Sequence, residues 1–242
     1  MAAKYELTNE TINYYGIVLH RIKSLINFNN VKKGDLGGFI EKEDNLSHEN
    51  NCWVYENAKV YDDARVCGNA GVCDNARVFD KAIVCDDADV FNNAIVFGDA
   101  MVCDNAIVGG DAIVCGDAII HDNAMVYGDA VVYNNASVYG NAIVCGDAYI
   151  CGDVKVYGNA KVYDNAYIHS TKDYLCIGPM GSRGDYTTFY LDKDRNIYVK
   201  CGCFCDTIDK FKDKVIETHK DNEYAKEYLC TLSYIKDKFN AI

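Results

Sequence analysis

From Ala58 to Ala166 a small residue returns at every sixth position, nineteen times, and Val154 is the only departure from Ala. Two residues after each of them stands Val or Ile, from Val60 through Ile120 and Ile150 to Ile168, and no insertion breaks the register. A period of six fits neither a helix at about 3.6 residues per turn nor a plain strand at about two, but it fits short strands joined by tight turns. The unit reads Ala-x-Val-(Tyr/Cys/Phe)-(Gly/Asp/Asn)-(Asn/Asp), as in Ala130-Val131-Val132-Tyr133-Asn134-Asn135. Strand alternation sends Ala and Val inward and their neighbours outward, and the Gly, Asn and Asp pair suits corners that β-branched residues resist. Three units close a triangle. Valines three units apart then stack at about 4.8 Å per coil, and the run makes roughly 30 Å of rod.

These residues resemble the left-handed parallel β-helix of the hexapeptide-repeat family, whose best-known members are acyltransferases. The resemblance covers about half the chain. More narrowly, Lys4-Tyr5, the Val31-Lys32-Lys33-Gly34-Asp35-Leu36-Gly37-Gly38 stretch and Asn45-Leu46-Ser47 leading into Trp53-Val54-Tyr55 look like the opening of bacterial YdcK-like hexapeptide proteins. Similar proteins occur in phages and prophages, and many are labelled transferases on the repeat alone, although a fold does not fix a function. The expected class is mainly β: a solenoid over 53–170, an N-terminal capping segment over 1–52 and a small α+β module over 171–242. In the cap, Lys4–Thr8 and Gly16–Leu19 read as strands, Gly37-Gly38 as a turn, and Trp53 as packing at the junction with the rod.

Charge narrows the partners. The formal net charge is −12, and residues 53–170 hold 6 Lys+Arg against 17 Asp+Glu, whereas 171–242 hold 12 of each sign. No stretch offers the basic stripe that a phosphate backbone requires, so a nucleic acid duplex is not an expected partner. No apolar run approaches about eighteen residues and Met1 opens no charged, apolar leader, so we expect a cytoplasmic protein without a membrane partner. The 13 cysteines are then expected to be reduced thiols rather than a disulfide framework.

Two function classes stay open. A hexapeptide acyltransferase would bind acetyl-coenzyme A along the rod and use a His as general base, usually beside a loop extruded from the coils. No such loop interrupts 58–168, and His121 and His169 occupy outward positions otherwise held by Tyr, Cys or Phe. His121, mid-rod, is the catalytic candidate under that reading. Cys67, Cys85 and Cys103 lie one coil apart with His121 next in line, but a ladder spreads ligands along a line where structural zinc wants four converging, so surface filling is preferred and no metal or cofactor is expected.

The other class is a non-catalytic oligomeric scaffold that binds or sequesters a small anionic ligand such as a nucleotide. One outward face carries Ile95/Phe97, Ile113/Cys115, Val131/Tyr133, Tyr149/Cys151 and Tyr167/His169, five successive rungs without Asp, Glu, Lys or Arg. Such a strip marks a contact surface, read here as self-association into a homo-oligomer, a trimer by family habit. In the terminal module, Tyr174–Ile177, Tyr186–Leu191 and Ile197–Cys201 read as strands, Asp192-Lys193-Asp194 as a hairpin turn, and two amphipathic helices follow. The Gly178–Thr188 segment offers Ser182, Arg183, Thr187 and Thr188 as ligands for a phosphate or carboxylate, although it is not a P-loop. Cys201-x-Cys203-x-Cys205 alternates, placing three thiols on one side of a strand, where zinc would need a fourth ligand such as His219.

Overall fold

The computed structural model describes residues 3–240. Its centre is a parallel β-solenoid of about seven turns. Two-residue strands follow one another at six-residue intervals, from β4 (Trp53–Val54) and β5 (Lys59–Val60) to β22 (Lys161–Val162) and β23 (Tyr167–Ile168). Each pairs in parallel with the strand one coil away, as Ile95 pairs with Arg77 on one side and Ile113 on the other. Lys59 N–H donates to Ala76 O at 2.9 Å and Tyr61 N–H to Val78 O at 3.1 Å, a pattern repeated up the rod. The Ala and Val columns point inward and are buried throughout, so the axis is one apolar ladder. That ladder is the main stabilising term, because each buried Val or Ile side chain contributes about 1.5–3 kcal/mol relative to exposure.

The corners explain the polar pair in each unit. Every sixth residue from Glu56 to Asp164 has φ between 43° and 76°, the left-handed region that Gly, Asn and Asp tolerate. An Asp there does more than bend the chain. Asp104 Oδ2 accepts the N–H of Asp122 at 3.1 Å, and Asp122 Oδ2 that of Gly140 at 2.9 Å, so the carboxylate satisfies a corner donor one coil on. The following residues form amide ladders, such as Asn69 to Asp87 at 2.9 Å.

Both ends are closed. At the N-terminal end β1 (Tyr5–Tyr14) and β2 (Ile17–Ser24) form an antiparallel hairpin, and β3 (Leu36–Ile40) pairs antiparallel with β2 but parallel with β5. β3 therefore converts hairpin into coil. Gly37 and Gly38 lie within this strand rather than in a turn, because a Cβ on either would come within 2.6 Å of the carbonyl oxygens of Val54 or Ala58. Trp53 does pack at the junction, edge-on to Tyr5 and Phe28. Lys4 is buried there and donates to Cys52 O at 2.8 Å, and burial lowers its pKa.

At the other end stands an antiparallel sheet of β24 (Tyr174–Met180), β25 (Asp185–Leu191), β26 (Ile197–Cys201) and β27 (Phe204–Thr207), the last absent from the sequence-based expectation. One face seals the last coils: Tyr174 and Tyr190 belong to the solenoid core, and the Tyr174 hydroxyl donates to Lys155 O at 2.6 Å. Phe189, Leu191 and Val199 on the other face pack under α1 (Ile208–His219) and α2 (Glu223–Asn240). Among the described residues no helix is long and apolar enough to cross a membrane.

Replacing Val132 with Asp is expected to unfold the protein, because an unpaired carboxylate in the sealed ladder costs several kcal/mol, comparable with total stability. Urea denaturation with the parent's midpoint would mean that the side chain does not face the axis.

Candidate functional site

A cleft of about 410 Å³ opens on the helix side of the terminal sheet, within the size range of small-molecule sites. Its floor is apolar. Met180, Phe204, Phe211, Val215 and Tyr228 line it, with Phe204 and Phe211 tilted at 5.1 Å and Phe211 edge-on to Tyr228 at 5.4 Å. Its rim carries Ser182, Arg183, Asp185, Lys214, Thr218 and His219. Two tight turns, the first residue of β25 and one helix supply the polar groups: 181–184 between β24 and β25, Asp185 itself, Gly202-Cys203 between β26 and β27, and α1.

The turn that presents Arg183 is held by its glycine. Gly181 has φ +68° and its N–H donates to Glu227 Oε2 at 2.8 Å, while any Cβ there would collide with the Tyr228 hydroxyl. Arg183 reaches across to Gly202, where a Cβ would meet its guanidinium, and it makes no ion pair among the described residues. Lys214 is paired with Glu217 at 2.8 Å on an exposed surface, and Asp185 with Lys161 at 3.7 Å. The His219 ring lies over Tyr228 at 5.9 Å. An unpaired guanidinium with a second cation and an imidazole nearby, above aromatic walls, can hold an anion attached to a flat apolar group.

Of the four ligand candidates read from the sequence, the structure brings Ser182 and Arg183 to this cleft and leaves Thr187 and Thr188 outside it. Both threonines are buried in β25, and alternation sends them to opposite faces. Thr188 turns toward the rod, where its Oγ1 accepts the N–H of Lys161 at 2.8 Å. Thr187 shares the helix-facing side with Phe189, and its Oγ1 has no hydrogen-bond partner among the described residues. The cysteine trio is also divided, because the chain reverses at Gly202 instead of running straight. Cys201 faces the Tyr228 hydroxyl at 3.6 Å, Cys203 is exposed on the turn, and Cys205 faces the rod, 3.2 Å from Asp164 and 3.3 Å from the Tyr190 hydroxyl.

His121 sits mid-rod, stacked on Tyr139 at 4.9 Å and flanked by Asp104 and Asp122. No insertion interrupts the coils beside it, since strands continue at six-residue intervals on either side. Ile95, Ile113, Val131, Tyr149 and Tyr167 lie in one parallel sheet, with Phe97 and Tyr133 on its adjoining edge. Tyr149 and Tyr167 stack at 5.1 Å. Lys214 and His219 are the cleft residues that the sequence reading missed as a pair with Arg183, because they lie about thirty residues away and only the packing of α1 joins them. Comparison with models of known protein families and with curated proteins finds no match to this chain.

The two buried threonines give opposite expectations. Thr188→Val should destabilise by about 1–3 kcal/mol, since it orphans a buried N–H, whereas Thr187→Val should be neutral or stabilising, since it removes an unpaired hydroxyl. Chemical denaturation of the two variants measures this, and equal losses would contradict the assigned faces.

Proposed function

We propose that this chain is a non-catalytic binding protein, a capped β-solenoid whose terminal module holds a small anionic ligand with an apolar ring, a nucleotide being the simplest example. The observation that carries this reading is the cleft itself, where Arg183 is left without a carboxylate partner above a floor of Phe204, Phe211 and Tyr228. The guanidinium would take the anion in a fork and the aromatic wall would take the ring. We further read the rod as a left-handed hexapeptide β-helix of the YdcK-like type, possessed by a cytoplasmic, phage-associated protein that sequesters its ligand. The uninterrupted coils and the flanked, stacked His121 speak for binding over acyl transfer.

Calorimetry on the full chain tests this against the acyltransferase alternative. Arg183→Ala should weaken a nucleotide by about tenfold or more, the loss of one charge-assisted contact of about 1.5–3 kcal/mol, with thermal stability nearly unchanged because the turn is exposed. His121→Ala should bind as the parent does. Acetyl-coenzyme A binding that is abolished by His121→Ala and indifferent to Arg183→Ala would reverse the assignment.

Self-association is part of the same proposal, and it rests on the sheet bearing Ile95, Ile113, Val131, Tyr149 and Tyr167. These side chains form a strip along the rod axis without a charged group in five successive rungs, which favours another copy of the same rod as its cover. Asp at both Ile113 and Val131 should give folded monomers in sedimentation, from a parent that sediments as a trimer. A monomeric parent would remove this part of the proposal.

A further inference from the structure

A second chemical feature lies on the rod, on the edge that carries Cys67, Cys85, Cys103 and His121 in successive coils. The sulfurs of Cys85 and Cys103 and a carboxylate oxygen of Asp86 all lie within 4.8 Å of one another, with Cys85 Sγ 3.3 Å from Asp86 Oδ2. One coil further, Asp104, His121 and Asp122 form another such group, with His121 Nδ1 3.9 Å from Asp104 and 3.6 Å from Asp122.

The carboxylate alone does not set this edge apart, since Asp62, Asp74 and Asp80 hold positive-φ corners on the other two edges and accept the next corner's N–H in the same way. What sets it apart is the run of outward thiols in adjacent coils, Cys67, Cys85 and Cys103, beside its carboxylates. Here three successive corners are Asp86, Asp104 and Asp122, and among the described residues no Lys or Arg forms an ion pair with any of them. One oxygen of each accepts the next corner's N–H, with Asp86 Oδ2 receiving that of Asp104 at 3.4 Å. The same Asp86 Oδ2 lies 3.3 Å from Cys85 Sγ, and its second lone pair remains for a ligand.

We propose that Cys85, Asp86 and Cys103 form a site for a thiophilic divalent cation of the zinc or cadmium class, with water as the fourth ligand. A ladder of thiols cannot converge on one ion, but two adjacent rungs and the corner carboxylate between them can. With metal–sulfur bonds of about 2.3 Å, a tetrahedral ion holds two sulfurs about 3.8 Å apart, a small closure for two half-buried side chains whose sulfurs already lie within 4.8 Å. A reduced cysteine is a neutral thiol near pH 7, since its ordinary pKa is about 8.5. Binding must therefore break both S–H bonds, form two metal–sulfur bonds and release about two protons to solvent, so affinity rises with pH. The site is independent of the terminal cleft and of its ligand.

The test is titration of the reduced, full-length protein with Cd²⁺, read by the ultraviolet absorbance of cadmium–thiolate bonds, with Cys203→Ser and Cys230→Ser in the background to silence exposed thiols. One ion per chain should bind at this edge. Cys85→Ser and Cys103→Ser should each weaken it by more than about tenfold, and His121→Ala and Cys73→Ser, on the next group and another edge, should leave it unchanged. Asp86→Asn keeps the corner and its hydrogen bond, so its circular dichroism should match the parent while cadmium affinity falls. The proposal fails if the double Cys85/Cys103 variant gives the parent's absorbance, or if Asp86→Asn binds as tightly as the parent.

Discussion

The structure depends on one constraint, the parallel backbone pairing of each residue with the one eighteen positions away. A two-residue strand has almost no stability by itself, so the coils persist only because every strand is hydrogen-bonded above and below. Strict register follows, and register makes every side-chain column a ladder of neighbours about 4.8 Å apart. Tyr61, Phe79 and Phe97 stack at 5.0 Å with planes 3° apart, Asn and Asp form amide ladders, and thiols meet thiols. An insertion would break the pairing locally, and a single wrong corner would misalign two coils.

A solenoid built this way has two open ends, and its caps are as necessary as its coils. The N-terminal hairpin reuses the same hydrogen bonds through β3, which can lie against the first coil because Gly37 and Gly38 have no Cβ. The C-terminal cap works differently, since an antiparallel sheet lies across the last coils and is itself covered by two helices. That sheet is buried on both faces. Its threonines therefore serve the interior, and only turns and the exposed side of α1 remain to meet a ligand.

How much of this is legible in the sequence depends on the range of the interaction responsible. The coil, its inward columns and its left-handed corners are local and repeated, so Ala58 to Ala166 dictate them without help. The hairpin turn at Asp192 is local too, fixed by its carboxylate accepting the N–H groups of Asp194 and Asn196. The Gly37-Gly38 pair misleads, because glycine signals both a turn and a close approach, and only the neighbouring coil distinguishes them. Thr187 and Thr188 mislead for a related reason: hydroxyls after a glycine-rich turn look like ligands until strand pairing buries them. β27 is invisible because Phe204-Cys205-Asp206-Thr207 is short and lacks a strand pattern.

The same distinction decides where chemistry can reside. On a rod the outward groups are arrayed in lines, and a line offers at most neighbours on adjacent rungs, which suits stacking, a two-thiolate ion or a long partner surface. Convergence of several groups on one small molecule needs elements that arrive from different directions. In this chain that happens where the repeat has ended, with Arg183 brought by a hairpin and Lys214 and His219 by a helix over one aromatic floor. The hollow on the rod beside Lys42, Arg65 and Lys81 has walls whose Lys42 and Lys81 are already paired with Asp63 and Asp99, and it has no aromatic floor, so the irregular cap is where a small ligand with an apolar ring has to be sought.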